Sequence, residues 1–157
     1  MAGSKRSDVF RHVPAPIETV WDIVSNHRAC PLWTPVTTAR LEVEGDGHPD
    51  GVGAVRFLGA GKAGARERVL EFDPPTHLAY TIVSGVPVRG YRADMWLQPT
   101  ADGGTDLRWV GSFESAPPGM ARVLRAFLEA VLRDTGDRVV KEGRRRAAQA
   151  AAATASS

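Results

Sequence analysis

Between residues 37 and 115 six short alternating segments follow one another with little between them but turns, and one long amphipathic stretch comes behind them. The segments are "TARLEVEG", "GVGAVRFLG", "ARERVLEF", "HLAYTIVSG", "GYRADMWLQP" and "TDLRWVGSFES". Their links, "DGHPDG", "GAGKAG", "DPPT", "SGVP" and "TADGG", are turn-rich and too short for parallel crossovers, so the pattern predicts an antiparallel meander. Upstream, "SDVFRHVPAP" predicts a further strand over Asp8–Val13, making seven. "PIETVWDIVSN" carries Ile17, Val20, Trp21 and Val24 at helical spacing behind a proline. Pro31 and Pro35 then limit "HRACPLWTPV" to a short turn of helix and a loop.

From about Pro118 to Arg146 the period becomes helical. Met120, Leu124, Phe127, Val131 and Leu132 make one stripe, extended by Val139 and Val140. Arg122, Arg125, Glu129, Arg133 and Lys141 cover the other side. At about 1.5 Å per residue this helix spans roughly 40 Å, enough to cross the sheet. Gly136 and Gly143 are expected weak points, at about 1 kcal/mol each relative to alanine. One sheet with one long helix is predicted to form an α+β domain in which a curved sheet wraps the helix and buries its concave face. The expected domain covers residues 8–146, with flexible tails at 1–7 and 147–157, the latter a low-complexity alanine run.

The last strand shows what the concave face looks at. Leu107, Trp109, Gly111 and Phe113 share one side, ranging from the largest side chain to none. A strongly curved sheet cannot touch one cylinder everywhere, so Trp109 is expected to wall a pocket in which Gly111 leaves room. The strand "GYRADMWLQ" has two parities. One turns Tyr91, Ala93, Met95 and Leu97 inward as core; the other turns Arg92, Asp94, Trp96 and Gln98 inward as a polar pocket. Hydrophobic patterning favours the first.

Composition limits the function classes. A net charge of +2 is weak evidence for nucleic-acid binding, and the arginine cluster at Arg144, Arg145 and Arg146 reads as a solvated helix end more than as a site for an acidic partner, nucleic acid or a membrane surface. No apolar run reaches the roughly 20 residues of a membrane span. The N-terminal "MAGSKRSDVF" lacks the apolar region of a secretory signal, and the single cysteine, Cys30, has no partner, so a reduced, cytoplasmic protein is expected. His12, His27, His48 and His77 are scattered, which predicts no metal site. "GAGKAG" lacks phosphate-loop spacing, so it reads as a hairpin turn, and no organic cofactor is expected.

The densest charge cluster within the strands is Arg66, Glu67 and Arg68. Glu67 and Glu71 either face inward, where a desolvated acid polarises a ligand carbonyl or hydroxyl, or pair with the arginines on the convex surface. Tyr91 is a third candidate for chemistry, as a pocket hydroxyl donor. Candidate ligand-contacting residues are Phe57, Tyr91, Trp96, Trp109 and Phe113 on the sheet, Leu124, Phe127 and Leu128 on the helix, and Trp33 at the entrance.

Four stretches in order, "VPAPIETVWDIVSN", "CPLWTPV", "LEFDPPTHLAYTI" and "DGGTDLRWVGSFE", resemble the SRPBCC superfamily, the helix-grip proteins that include START lipid-transfer domains, Bet v 1-like proteins and aromatic polyketide cyclases. The resemblance covers residues 8–145 and is nearest to bacterial polyketide cyclase/dehydrase-like proteins. It implies a ligand-sized cavity between sheet and helix. Trp109 matches one cyclase pocket tryptophan and Trp96 stands where another would be. Cys30 replaces a tryptophan before the proline, and Glu71 occupies the place of the catalytic arginine before "DPP". The expected function is binding of a small, largely apolar ligand: an aromatic polyketide, a secondary metabolite or a lipid. The alternatives are a cyclase/dehydratase promoting aldol cyclisation without metal or organic cofactor, and a stress or toxin-like regulatory protein acting through a partner surface. A monomer or homodimer is expected.

Overall fold

The computed structural model describes residues 5–156. Strand β1 (Lys5–Val13) is followed by helix α1 (Ile17–Ser25), a single 3-10 turn at His27–Ala29, and the four-residue helix α2 (Cys30–Trp33). Strands β2 (Thr38–Val43), β3 (Val55–Ala60), β4 (Ala63–Asp73), β5 (His77–Ser84), β6 (Arg92–Pro99) and β7 (Thr105–Phe113) form the meander, and α3 (Ala121–Ala155) follows it. All seven strands lie in one antiparallel sheet ordered β1-β7-β6-β5-β4-β3-β2. The first strand thus docks beside the last, from Lys5 opposite Phe113 to Val13 opposite Thr105. Among the described residues no helix is long and apolar enough to cross a membrane.

Helix α3 starts three residues later than expected and continues nine residues beyond Arg146. The segments expected as tails are in part regular elements: Lys5–Ser7 open β1, and the alanine run prolongs α3. Alanine is the best helix former, and nothing in "AAQAAAATA" interrupts the ladder. Residues 1–4 and 157 lie outside the described residues.

The buried face of α3 is Leu124, Leu128, Leu132, Thr135, Gly136, Val139 and Gly143, with Met120 and Phe127 of the expected stripe left exposed. The two glycines are points of closest approach. A Cβ on Gly143 would collide with Val13, and one on Gly136 would sit 3.3 Å from Arg11 Cγ. Their propensity cost is offset by the approach they permit, which seats α3 on β1. Polar ties fix the same side. Arg11 Nε donates to Asp137 at 2.6 Å, and Arg146 links Glu142 (3.0 Å) to Asp22 of α1 (2.7 Å). The helix therefore leans on the β1–β7 edge and on α1 and α2, and stands away from the opposite half of the sheet.

Candidate functional site

Where α3 stands away, a cavity of about 250 Å³ remains, walled by α2, α3 and the inner faces of β3 to β7. Residues directly opposite one another in an antiparallel pair share a face. Two rows therefore meet at the cavity: Tyr80 opposite Ala93 and Ala93 opposite Gly111, and Met95 opposite Trp109. Tyr91, Ala93, Met95 and Leu97 are all buried, so β6 adopts the hydrophobic parity. Trp33 of α2 meets Trp109 edge to face, 5.7 Å between ring centroids at 61°. Tyr80 and Tyr91 lie 6.3 Å apart and continue the aromatic wall. The mouth is formed by Pro35, Val36, Val86 and the half-exposed ring of Phe127.

One local irregularity decides the polar content. The β4–β5 register slips between Val69, opposite Tyr80, and Glu71, opposite Ala79. The extra residue, Leu70, is a β-bulge, which reverses the alternation. Glu67 and Val69 face inward. Beyond the bulge Phe72 faces inward, packing edge-on against Trp21 at 5.2 Å, and Glu71 faces out. Glu71 bonds Arg92 at 2.9 Å and His77 Nδ1 at 3.1 Å on the outer face, so it is not a cavity acid. Strict alternation along β4 would have kept both glutamates together.

Glu67 pairs across the ladder with Arg56 of β3. Arg56 is 3% exposed and donates from Nη1 to the carbonyl of Ser25, the last residue of α1, at 3.2 Å. Its Nε has no hydrogen-bond partner, and the buried indole nitrogens of Trp33 and Trp109 have none either. The Trp109 indole leans on the Tyr80 hydroxyl without reaching bonding geometry. Among the described residues the Glu67 carboxylate takes part in no hydrogen bond and no ion pair; what surface it retains opens to the cavity. Burial raises its pKa, opposed by the charge of Arg56. Burial likewise raises the Tyr80 and Tyr91 hydroxyls, which stay neutral donors. Cys30 also lines the cavity, with its thiol pushed up to about 12 by burial, so it is not a nucleophile at neutral pH.

Of the residues expected at the site, Trp33, Glu67, Tyr91, Trp109, Phe127 and Leu128 line the cavity. Trp33 sits deep in the wall, 4% exposed, instead of at the entrance. Phe113 and Leu124 are buried core that does not reach the cavity. Phe57 lies on the outer face, its ring covered by the guanidinium groups of Arg40 at 4.4 Å and Arg66 at 5.3 Å. Trp96 is 48% exposed on that face, stacked on His77 at 3.6 Å and 5°. The gap at Gly111 is filled: a Cβ there would meet Leu132 at 3.1 Å and the Tyr91 hydroxyl at 3.2 Å. Arg56, Tyr80, Leu58, Ile82 and Thr135 also line the cavity and were not expected there. In "VRFLG" the larger apolar residue, Phe57, suggested the inward parity. The available signal was the ladder itself, because an inward Glu67 brings its cross-strand partner Arg56 inward too.

The scattered histidines concealed one grouping. Glu71, Asp73 and His77 offer ligand atoms within 4.8 Å of one another on the outer face. Both His77 nitrogens are engaged there, Nδ1 by Glu71 and Nε2 by Asp94 at 2.8 Å.

Comparison with known proteins places this architecture. The family described as polyketide cyclase/dehydrase and lipid transport matches residues 5–149. No curated protein matches the chain. Similar solved structures include the protein XoxI from Bacillus cereus (16% identity, TM-score 0.69, 88% of this chain and 94% of that one) and a protein from Thermobifida fusca (24%, 0.68, 88% and 95%). Ara h 8.0201 is also similar (18%, 0.61, 88% and 99%). These likenesses show the fold, a Bet v 1-like helix grip. With nearly its whole length matched, the chain belongs to the polyketide cyclase/dehydrase and lipid transport family.

Proposed function

We propose that the protein binds a small, largely apolar and aromatic ligand in the cavity between sheet and α3. The observation that carries this reading is the aromatic wall of Trp33, Trp109, Tyr80 and Tyr91 around about 250 Å³ of space. An apolar cavity of about 150 Å³ holds one benzene ring. The present volume therefore suits one or two fused rings or a short acyl chain, as an aromatic metabolite would supply. A tetracyclic polyketide or a two-chain lipid would protrude past Phe127. The open cavity favours a ligand-binding role over a purely partner-directed regulatory one.

The test is a titration followed by tryptophan fluorescence, since two of the four tryptophans stand in the wall. A saturable change with naphthalene-sized aromatics, abolished in Ala65→Phe, is the expected result, because Ala65 lines the cavity and the added ring fills it. Saturable binding that persists in Ala65→Phe would place the ligand elsewhere.

A second reading, a cyclase-type enzyme, is favoured by one observation: Glu67 and the Tyr91 hydroxyl share the cavity. Glu67 as base would take the proton from a carbon between two carbonyls, and Tyr91 would hydrogen-bond the enolate oxygen. The enolate carbon would add to a further carbonyl, whose alkoxide takes the proton held by Glu67. The resulting hydroxyl then leaves as water with the remaining hydrogen of the attacking carbon, and a carbon–carbon double bond forms. Loss of turnover in Glu67→Gln with naphthalene binding retained would support it.

A further inference from the structure

Resting on the ligand-binding reading above, we infer that Glu67, backed by Arg56, makes the β3–β4 wall of the cavity a recognition site for a neutral aromatic hydroxyl group, a phenol or an enol.

Three features of the structure meet there. Glu67 is an acceptor without a partner. No residue among those described donates to it, although Arg56, Trp33, Trp109, Tyr80 and Tyr91 around the cavity all carry N–H or O–H donors. A half-buried carboxylate that faces an apolar cavity without a protein donor is poorly compensated, and polar groups in such surroundings are ordinarily paired. An incoming hydroxyl supplies the missing donor.

Charge comes second. Arg56 lies directly across the strand pair from Glu67 and is held in place by the Ser25 carbonyl at the end of α1. The two charges compensate each other, so the site has no net charge to attract an ion. An anionic ligand would meet Glu67 head-on, and a cation would meet Arg56. A hydroxyl is the neutral group that donates to the carboxylate and still has lone pairs for the surplus of donors around it.

Shape is third. Aromatic side chains lie across the cavity, with the Trp33–Trp109 pair presenting one ring edge to the other's face. Aromatic rings pack favourably in such edge-to-face settings. The outer-face carboxylates of the same strands show the contrast, because Glu71 and Asp94 are fully engaged by Arg92 and His77.

The test uses the full chain and three probes of one ring size, naphthalene, 2-naphthol and 2-naphthoate, with affinities from calorimetry and ligand-observed NMR. The expected result is 2-naphthol binding about tenfold or more tighter than naphthalene, the scale of a hydrogen bond to a charged group, with 2-naphthoate weakest. In Glu67→Leu the 2-naphthol advantage falls to about onefold while naphthalene binding persists. Glu67→Gln keeps an oxygen acceptor and should fold if the leucine variant does not; there the advantage shrinks to a few-fold, at most about threefold. Equal affinity of naphthol and naphthalene for the unmodified protein would overturn the inference and leave the cavity reading intact. So would an undiminished naphthol advantage in a folded Glu67→Leu, or naphthoate binding tightest. Failure of all three probes to bind would instead defeat the cavity reading, and the inference with it.

Discussion

Two carboxylates four residues apart on β4 lead opposite lives. Glu71, on the outer face, is embedded in a network in which Arg92 bridges Glu71 and Asp94, and both nitrogens of His77 meet carboxylate oxygens. Trp96 closes that network from above by stacking on His77. Glu67, on the inner face, has a counter-charge across the ladder and no bonded partner. The outer cluster is satisfied by the protein itself and needs nothing further to explain it. The inner one is incomplete, and an incomplete polar site inside an apolar cavity is where a ligand has something to add.

The sharpest way to break the contrast is to remove Arg56. Arg56→Ala empties the space of a buried side chain and strips Glu67 of its counter-charge and the Ser25 carbonyl of its donor, and should destabilise the fold by about 2–5 kcal/mol in denaturant unfolding. The double variant Arg56→Met with Glu67→Met should recover part of that loss, because the apolar pair restores the volume and leaves no lone charge, while the Ser25 carbonyl still lacks its donor.

Asp94→Asn comes next. Partial desolvation works to raise the Asp94 pKa, but the hydrogen bonds from Arg92 and His77 together outweigh it and the pKa is lowered. The native carboxylate thus contributes stability above its unfolded pKa, and that contribution fades as pH falls through the folded one. The variant should lose about 1.5–3 kcal/mol at neutral pH, with the gap closing in acid.

Glu67→Gln should show the reverse pH signature. Because the Glu67 pKa is raised, the native protein has its full stability below the unfolded value, near 4.5, and loses some as pH rises through the folded value. The difference between variant and native protein should therefore drift in favour of glutamine with increasing pH, by up to about 1.4 kcal/mol per pH unit. A flat difference across that range would mean that the carboxylate is solvated.

The smallest effect belongs to Trp96→Ala, which removes only the exposed stack on His77. A loss of about 0.5–1.5 kcal/mol is expected, with no change in ligand affinity. A fall in affinity would show the two faces to be coupled.

Much of the fold was legible because its signals are local. Turn-rich links of a few residues dictate antiparallel neighbours, and the switch from period 2 to period 3.6 after Phe113 marks where strands give way to helix. The inward set of β6 could be read because one parity was apolar throughout. The site was legible only in part. Phe57 and Trp96 are large and apolar, yet both stand outside, covered by arginines or stacked on a histidine. Residue type alone does not separate a core aromatic from one that roofs an outer-face charge network.

What the amino-acid order determined by itself is the succession of seven strands and a long helix, and with it a sheet that must wrap that helix. Periodicity and turn chemistry act over a few residues, so they can be read without knowing what lies opposite. What tertiary structure decided is which side chains meet in the cavity. The bulge at Leu70 divides Glu67 from Glu71, the pairing of β3 with β4 brings Arg56 inward, and the close seating of α3 at Gly136 and Gly143 leaves the far half of the sheet hollow. Each of these depends on partners distant in sequence. A one-residue slip in pairing reverses every side chain beyond it, and no local pattern records such a slip.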